Sequence, residues 1–246
     1  MKTYQYRDLS VIEFPQSLII TACDSSAGVG EKTADALKVP TKYIAMFATR
    51  VCLFELLSVG ADIIGIANAV CGEMHPTGEA MIQGIQEELN LAGIVDVPIN
   101  GSTEENFETS MTGFGIFVMG SAHALRITPS SPEDFVVCIG KPKVGAGLNF
   151  AGDDDIASYQ DIETLLGFDT VNEIIPCGSK GILYEAENLA SIYNLHFYRK
   201  ATDLDLIGSS GPATTVLASV KPDLIPKLSS IFGTKMAIIG QLKKQE

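Results

Sequence analysis

Basic residues are scarce: 17 Lys+Arg stand against 30 Asp+Glu in 246 residues, a formal net charge of −13 at pH 7. So acidic a chain lacks the basic face that a non-specific nucleic-acid binder needs. A phosphorylated ligand stays open to it, provided a divalent cation stands between phosphate oxygens and carboxylates. Cysteine is thinly spread. Cys23, Cys52, Cys71, Cys138 and Cys177 are odd in number, far apart and without a C-x-x-C. That disfavours a disulfide framework or a zinc site and fits reduced thiols packed as small hydrophobes. The opening MKTYQYRDLS has no signal-peptide apolar stretch. No window approaches the roughly 18–20 uncharged apolar residues of a membrane span. The three histidines (His75, His123, His196) make no nucleophile–base pattern, and G-x-S-x-G, H-E-x-x-H and H-R-D signatures are missing. A soluble cytoplasmic protein is expected.

Apolar residues, at 46% against 19% charged, supply a real core and exclude wholesale disorder. Their spacing predicts alternating strands and helices. In the first half, strands are expected over 17–23, 62–71, 94–100 and 112–120, and helices over 41–59 and 78–92. A Pro/Ser-rich stretch, RITPSSPE at 126–133, follows, and a domain boundary is placed near 122–133. The domains are then 1–122 and 123–246. Beyond the boundary, strands are expected over 135–140, 171–176, 196–200, 213–220 and 235–242. Helices fall over 159–166, 181–193 and 224–232, with a Gly-rich loop, VGAGLNFAG, after the first strand. Nothing repeats at a period of about 20–50 residues.

Several segments carry possible chemistry, each with a plain structural alternative. In Asp24-Ser-Ser-Ala-Gly-Val-Gly-Glu-Lys32, an aspartate can hold Mg²⁺, Gly28 and Gly30 permit close backbone approach, and Lys32 can reach a phosphate oxygen. The loop is neither a Walker A motif nor a G-x-G-x-x-G, and read alone it is more simply an ordinary polar turn. Gly101-Ser-Thr-Glu-Glu-Asn106 offers two carboxylates and an amide for metal ligation, or a helix N-cap with an acidic first turn. Glu55, on the long helix, is a ligand only if the fold turns it inward. Cys71 and His75, in Cys71-Gly-Glu-Met-His75, lack further zinc ligands. Cys177-Gly-Ser-Lys-Gly181 and Ser209-Ser-Gly-Pro-Ala-Thr214 are Gly-containing turns that can take an anion or serve as turn chemistry alone.

The order of these motifs resembles the aminoimidazole ribonucleotide (AIR) synthase superfamily over essentially the whole chain. It does so most specifically at 20–120, from the Asp24–Lys32 loop through Gly60-Ala61-Asp62 and Gly-x-Thr-x-Glu at 101–105 to Thr112–Gly115. Cys23-Asp-Ser-Ser, Glu73-Met-His-Pro-Thr-Gly78 and Gly101–Asn106 look most like the AIR-synthase-related α-ribazole kinases. The resemblance implies a mixed α/β (α+β) fold of two domains, with N-terminal domains pairing into a barrel across a homodimer. It also implies ATP near that interface, Mg²⁺ on acidic residues, and transfer or cleavage of an ATP phosphate.

On that resemblance Asp24 and Lys32 are the catalytic candidates, and Gly28, Gly30, Lys32, Thr103 and Asn106 the nucleotide contacts. Asp24, Glu55 and Glu105 are the metal ligands, and Ser209, Ser210 and Gly211 border the acceptor. The departures are Phe54 where relatives have Asn, Ser102 where an acid is frequent, and no aspartate in 177–181. The expected function is an ATP- and Mg²⁺-dependent small-molecule kinase acting on the 5′-hydroxyl of a nucleoside such as α-ribazole, in cobalamin lower-ligand salvage. The alternatives are an AIR-synthase-like ATP-dependent cyclase or a catalytically silent nucleotide-binding dimer. No general base is evident.

Overall fold

A computed structural model describes residues 1–150 and 152–245. Ala151, inside the expected Gly-rich loop, and Glu246 lie outside the described residues. The chain forms two units, Met1–Leu125 and Arg126–Glu246.

The first unit runs β1 (Lys2–Tyr6), β2 (Leu9–Glu13), β3 (Leu18–Ala27), β4 (Val29–Gly30), β5 (Leu37–Lys38), α1 (Lys42–Ser58), β6 (Asp62–Val70), α2 (Glu79–Leu91), β7 (Ile99–Thr103) and β8 (Gly113–Ala122). Six strands form one sheet in the order β1-β2-β3-β8-β6-β7. Every pairing is antiparallel except β6 with β7. That parallel pair needs a crossover, and α2 supplies it. One sheet face carries Ile20, Ala22, Ile116 and Val118, all buried beneath α1. At the α1–α2 crossing a Cβ on Gly84 would stand 2.0 Å from the Lys42 carbonyl oxygen, so only glycine fits there. By register the other sheet face carries Ile12, Ile19, Thr21, Met119 and Phe117 in adjoining rows. Phe117 on that face is 39% exposed.

Two expectations are corrected here. The strand expected over 17–23 runs on past Cys23, because Asp24–Ala27 continue the ladder opposite Ile116–Gly113. The strand expected at 94–100 is β7 instead, with Val95 exposed and Pro98 preceding it. The β1–β2 hairpin has no counterpart among the expected elements. Its two-residue turn, Arg7-Asp8, has none of the Asn-Gly or Gly signals that mark hairpins, and Arg7 itself takes φ +53°.

The second unit contains β9 (Phe135–Ile139), α3 (Tyr159–Leu166), β10 (Val171–Pro176), α4 (Gly181–Ile192), β11 (Leu195–Arg199), β12 (Val216–Val220), α5 (Ile225–Phe232) and β13 (Met236–Lys244). Its five strands are antiparallel in the order β10-β12-β9-β13-β11. α4 buries Ile182, Ala186 and Leu189 against Val136, Cys138 and Leu217. β12 starts later than expected, since residues 210–214 form a turn closed by the Thr214 N–H on the Ser210 carbonyl. The α3 start carries a full capping box, Ser158 with Asp161.

Candidate functional site: a charged corner at the end of the first sheet

Beyond Ala27 the chain turns through Gly28 (φ +72°) and Gly30 (φ +144°). A Cβ on Gly30 would lie 2.5 Å from Thr112 Oγ1 and 2.8 Å from Asp35 Oδ2, so this glycine serves the loop's own packing. Asp35 organises the turn: buried, it accepts the Thr112 N–H (2.8 Å), the Thr112 hydroxyl (2.7 Å) and the Lys32 N–H (2.8 Å). Burial alone would push its carboxyl up, but these donors outweigh it and hold the group below the usual carboxylate range. The loop from Gly28 to Asp35 is therefore shaped by an internal acceptor.

That shape delivers the Lys32 ammonium to the segment following β6. Lys32 Nζ meets Glu73 Oε2 at 2.5 Å and donates to the Thr109 carbonyl at 3.2 Å. The other Glu73 oxygen accepts the Thr77 hydroxyl. Burial opposes ionisation of Glu73, yet Lys32 and Thr77 overcome it and bring the carboxyl down to about 2. One residue on, the Met74 N–H donates to Glu105 Oε1 (2.8 Å), which also accepts the Thr103 hydroxyl (3.1 Å). Asn106 is exposed, and its N–H donates to Glu104. Lys32, Thr103 and Glu105 thus converge on one corner, knit by Glu73.

The corner is incomplete within the chain. An ammonium has three N–H groups, and among the described residues Lys32 Nζ engages two acceptors. Beside it the Thr109 hydroxyl is buried with no hydrogen-bond partner among those residues. An unmet buried hydroxyl costs about 1–3 kcal/mol. A Cβ on Gly72 would lie 3.3 Å from both Lys32 Nζ and Thr109 Oγ1, so the absent side chain leaves these donors their space.

Asp24 and Glu55 belong to a second cluster. Strand alternation puts Asp24 on the helix-covered face with Ile20 and Ala22, and both it and Glu55 act electrostatically on buried Cys52 of α1. Burial raises the Asp24 carboxyl, against a weaker opposing hydrogen bond from the Ser25 backbone. Glu55 is turned inward, but onto Arg7: Oε2 lies 3.5 Å from Arg7 Nη2, with side-chain exposures of 11% and 4%.

The donor set therefore does not assemble a three-acid Mg²⁺ site. Glu55 is paired with Arg7, Glu105 Oε1 accepts from Met74 and Thr103, and among the described residues no group of three His, Cys, Asp or Glu is placed to hold a metal. Nor is any helix of the described residues long and apolar enough to cross a membrane.

In the second unit, strand registers bring the start of β12 beside the ends of β9 and β10. The turns 177–181 and 208–214 meet there. The Ser210 N–H donates to the Gly178 carbonyl (3.1 Å), and the Gly211 N–H to Ser209 Oγ (3.2 Å). A Cβ on Gly181 (φ +84°) would press to 2.6 Å from the Ile207 carbonyl. Ser210 Oγ is buried without a partner among the described residues. This loop pair rests on backbone contacts rather than charge.

Sequence reasoning missed Glu73 and Asp35 as working parts. Glu73 stands out in the sequence only inside a resemblance motif. Asp35 accepts backward from Lys32 and across the chain from Thr112, contacts that no local motif announces.

The strands and helices of the two units make an α+β fold. No protein-family model and no curated protein matches the sequence. Among solved structures, the chain is similar to thiamine monophosphate kinase from Aquifex aeolicus: TM-score 0.70, 11% identity, covering 98% of this chain and 90% of that one. It is similar also to AaThiL complexed with AMPPCP and TMP: TM-score 0.68, 11% identity, 97% and 85% covered. A third likeness is to Thermotoga maritima PurL complexed with ATP: TM-score 0.64, 15% identity, 96% of this chain but 37% of that one. At such identities the likeness establishes the fold, and the chain has the AIR-synthase-like fold.

Proposed function

We propose that the protein is an ATP-dependent phosphotransferase that phosphorylates the 5′-hydroxyl of a nucleoside, α-ribazole being the leading acceptor. The observation that carries this reading is the corner of Lys32, Thr109 and Gly72: a lysine with donor capacity to spare beside a buried, unpartnered hydroxyl. Both are donors, and phosphate oxygens are acceptors. Among the structures of similar fold, one kinase is complexed with AMPPCP and another protein with ATP.

In this reading Lys32 and Thr109 hold phosphate oxygens, and the ammonium follows the charge that develops as the phosphoryl group leaves. Gly28 and Gly30 give the loop its path, and Thr103 fixes Glu105, which in turn fixes the backbone at Met74. The Ser209–Gly211 turn borders the acceptor. Positioning does most of the work. The cytoplasm is the compartment the thiols suggest.

A second copy of the chain covers the open face of the first sheet, where Ile19, Met119 and Phe117 form an apolar row. Light scattering at micromolar concentration should give a dimer mass, and a monomer would reject this part of the reading. For the activity, nucleosides and vitamin precursors are screened for acceptor-dependent ADP release, and the product is weighed. A kinase product gains a phosphate. A cyclised product without new phosphate would transfer the reading to an AIR-synthase-like ligase.

Two observations favour a catalytically silent nucleotide-binding dimer: Lys32 is neutralised by Glu73, and no three-acid cluster forms among the described residues. Binding of ATP without ADP release, across the whole acceptor panel, would establish that alternative.

A further inference from the structure

We propose that Glu73 is a positioning residue for phosphoryl transfer: its carboxylate aims the Lys32 ammonium and gives way to the nucleotide phosphate as that ammonium's counter-charge. The inference rests on the reading that Lys32 meets an ATP phosphate.

The geometry gives each oxygen of the carboxylate its own partner. Oε2 is on Lys32 at 2.5 Å, and Oε1 takes the Thr77 hydroxyl. The backbone beside it is pinned by the Met74 N–H on Glu105 (2.8 Å) and by the Glu104 N–H on the Gly72 carbonyl (2.9 Å). An ion pair this open, with side-chain exposures of 14% and 36%, contributes little to folding. Three further directional contacts around such a pair exceed what stability needs. They match what aim needs, since lysine is a flexible point charge on a four-carbon stem. Protein kinases meet the same requirement with a Lys–Glu ion pair that must be in place for transfer. A carboxylate held down to about 2 is a poor general base near neutral pH, so its service here is orientation. Gly72 completes the device by leaving the ammonium room to move between partners.

Removing the Glu73 charge makes the corner more positive by one unit while leaving lysine unaimed. Positioning therefore predicts a loss of turnover without a loss of binding, which a merely structural role does not. The test compares wild type, Glu73→Gln, Lys32→Ala and the double variant. ATP·Mg²⁺ binding is read by calorimetry and kcat with α-ribazole as acceptor, alongside melting temperature. Glu73→Gln should lower kcat roughly 10- to 100-fold. It should leave ATP affinity equal or tighter and the melting temperature within about 3 °C of wild type. The double variant should be no worse than Lys32→Ala, because both changes remove one function.

If Glu73→Gln folds poorly, Gly72→Ala tests the same point without touching charge. Its Cβ crowds Lys32 Nζ, and kcat should fall several-fold while ATP still binds. Wild-type kcat in Glu73→Gln, or parallel loss of kcat, ATP affinity and melting temperature, would overturn the inference while the kinase reading stands. A wild-type protein that neither binds ATP nor releases ADP would overturn both.

Discussion

Two ion pairs in the first unit differ in a way that separates scaffold from site. Arg7–Glu55 is enclosed, with side-chain exposures of 4% and 11%, and ties the β1–β2 turn to α1. Lys32–Glu73 is shorter yet more open, at 14% and 36%. The first uses arginine, whose planar fork is always charged and suits a permanent buried contact. The second uses lysine, a mobile charge beside a partnerless hydroxyl and a glycine that leaves space. Residues from both pairs are candidates on sequence grounds, and burial is what distinguishes them. An acid enclosed with its arginine is committed to the fold, whereas an open pair can exchange partners.

The comparison breaks most visibly at Glu55. Glu55→Ala removes the acid 3.5 Å from enclosed Arg7, and breaking a buried pair from one side typically costs about 3–5 kcal/mol. Denaturant unfolding should show a loss of that size, with the Mg²⁺ dependence of ATP binding unchanged in the folded fraction. Unaltered stability with weakened Mg²⁺ dependence would move Glu55 back among the metal ligands.

A smaller effect is expected at Asp35, which supports the open pair from below. Asp35→Asn keeps the shape but exchanges an acceptor oxygen for a donor amide, leaving at least one of the Thr112 and Lys32 donors unmet. A loss of about 1–3 kcal/mol follows, with faster hydrogen exchange at the Thr112 amide. Wild-type stability in this variant would mean that the loop is shaped otherwise.

The smallest effect is in acid. Glu73 is held near 2 in the folded state, against an ordinary value of 4.5. Its ionised form favours folding, so its contribution is complete above about pH 4.5 and is lost as pH falls through about 2. Melting temperature in that window should fall less steeply for Glu73→Gln than for wild type. Identical slopes would detach Glu73 from the ion pair.

Much of this arrangement is legible in the residues themselves. The 159–166 and 171–176 elements fall as their periodicity predicts, because apolar spacing and a Ser158–Asp161 cap agree there. The N-terminal hairpin hides because Arg7-Asp8 makes a tight turn without a turn residue's signature. The Asp24 strand hides its true end because Asp-Ser-Ser-Ala reads locally as a turn, and only the partner strand β8 keeps it extended. Lys32 is evident as a candidate, but its partner 41 residues away is not. Glu55 looks like a ligand since nothing in its own helix announces an arginine from the first hairpin. Contacts across the chain, not local preference, decide both cases.

The central claim is that the open pair is the phosphate-handling corner, and Lys32→Ala tests it most directly. Steady-state turnover of ATP with α-ribazole and melting temperature are measured on the same preparation. The account predicts a fall in turnover on the order of 10²-fold or more with the melting temperature nearly unchanged. A variant as active and as stable as wild type would contradict it and leave residues 24–32 an ordinary strand and turn.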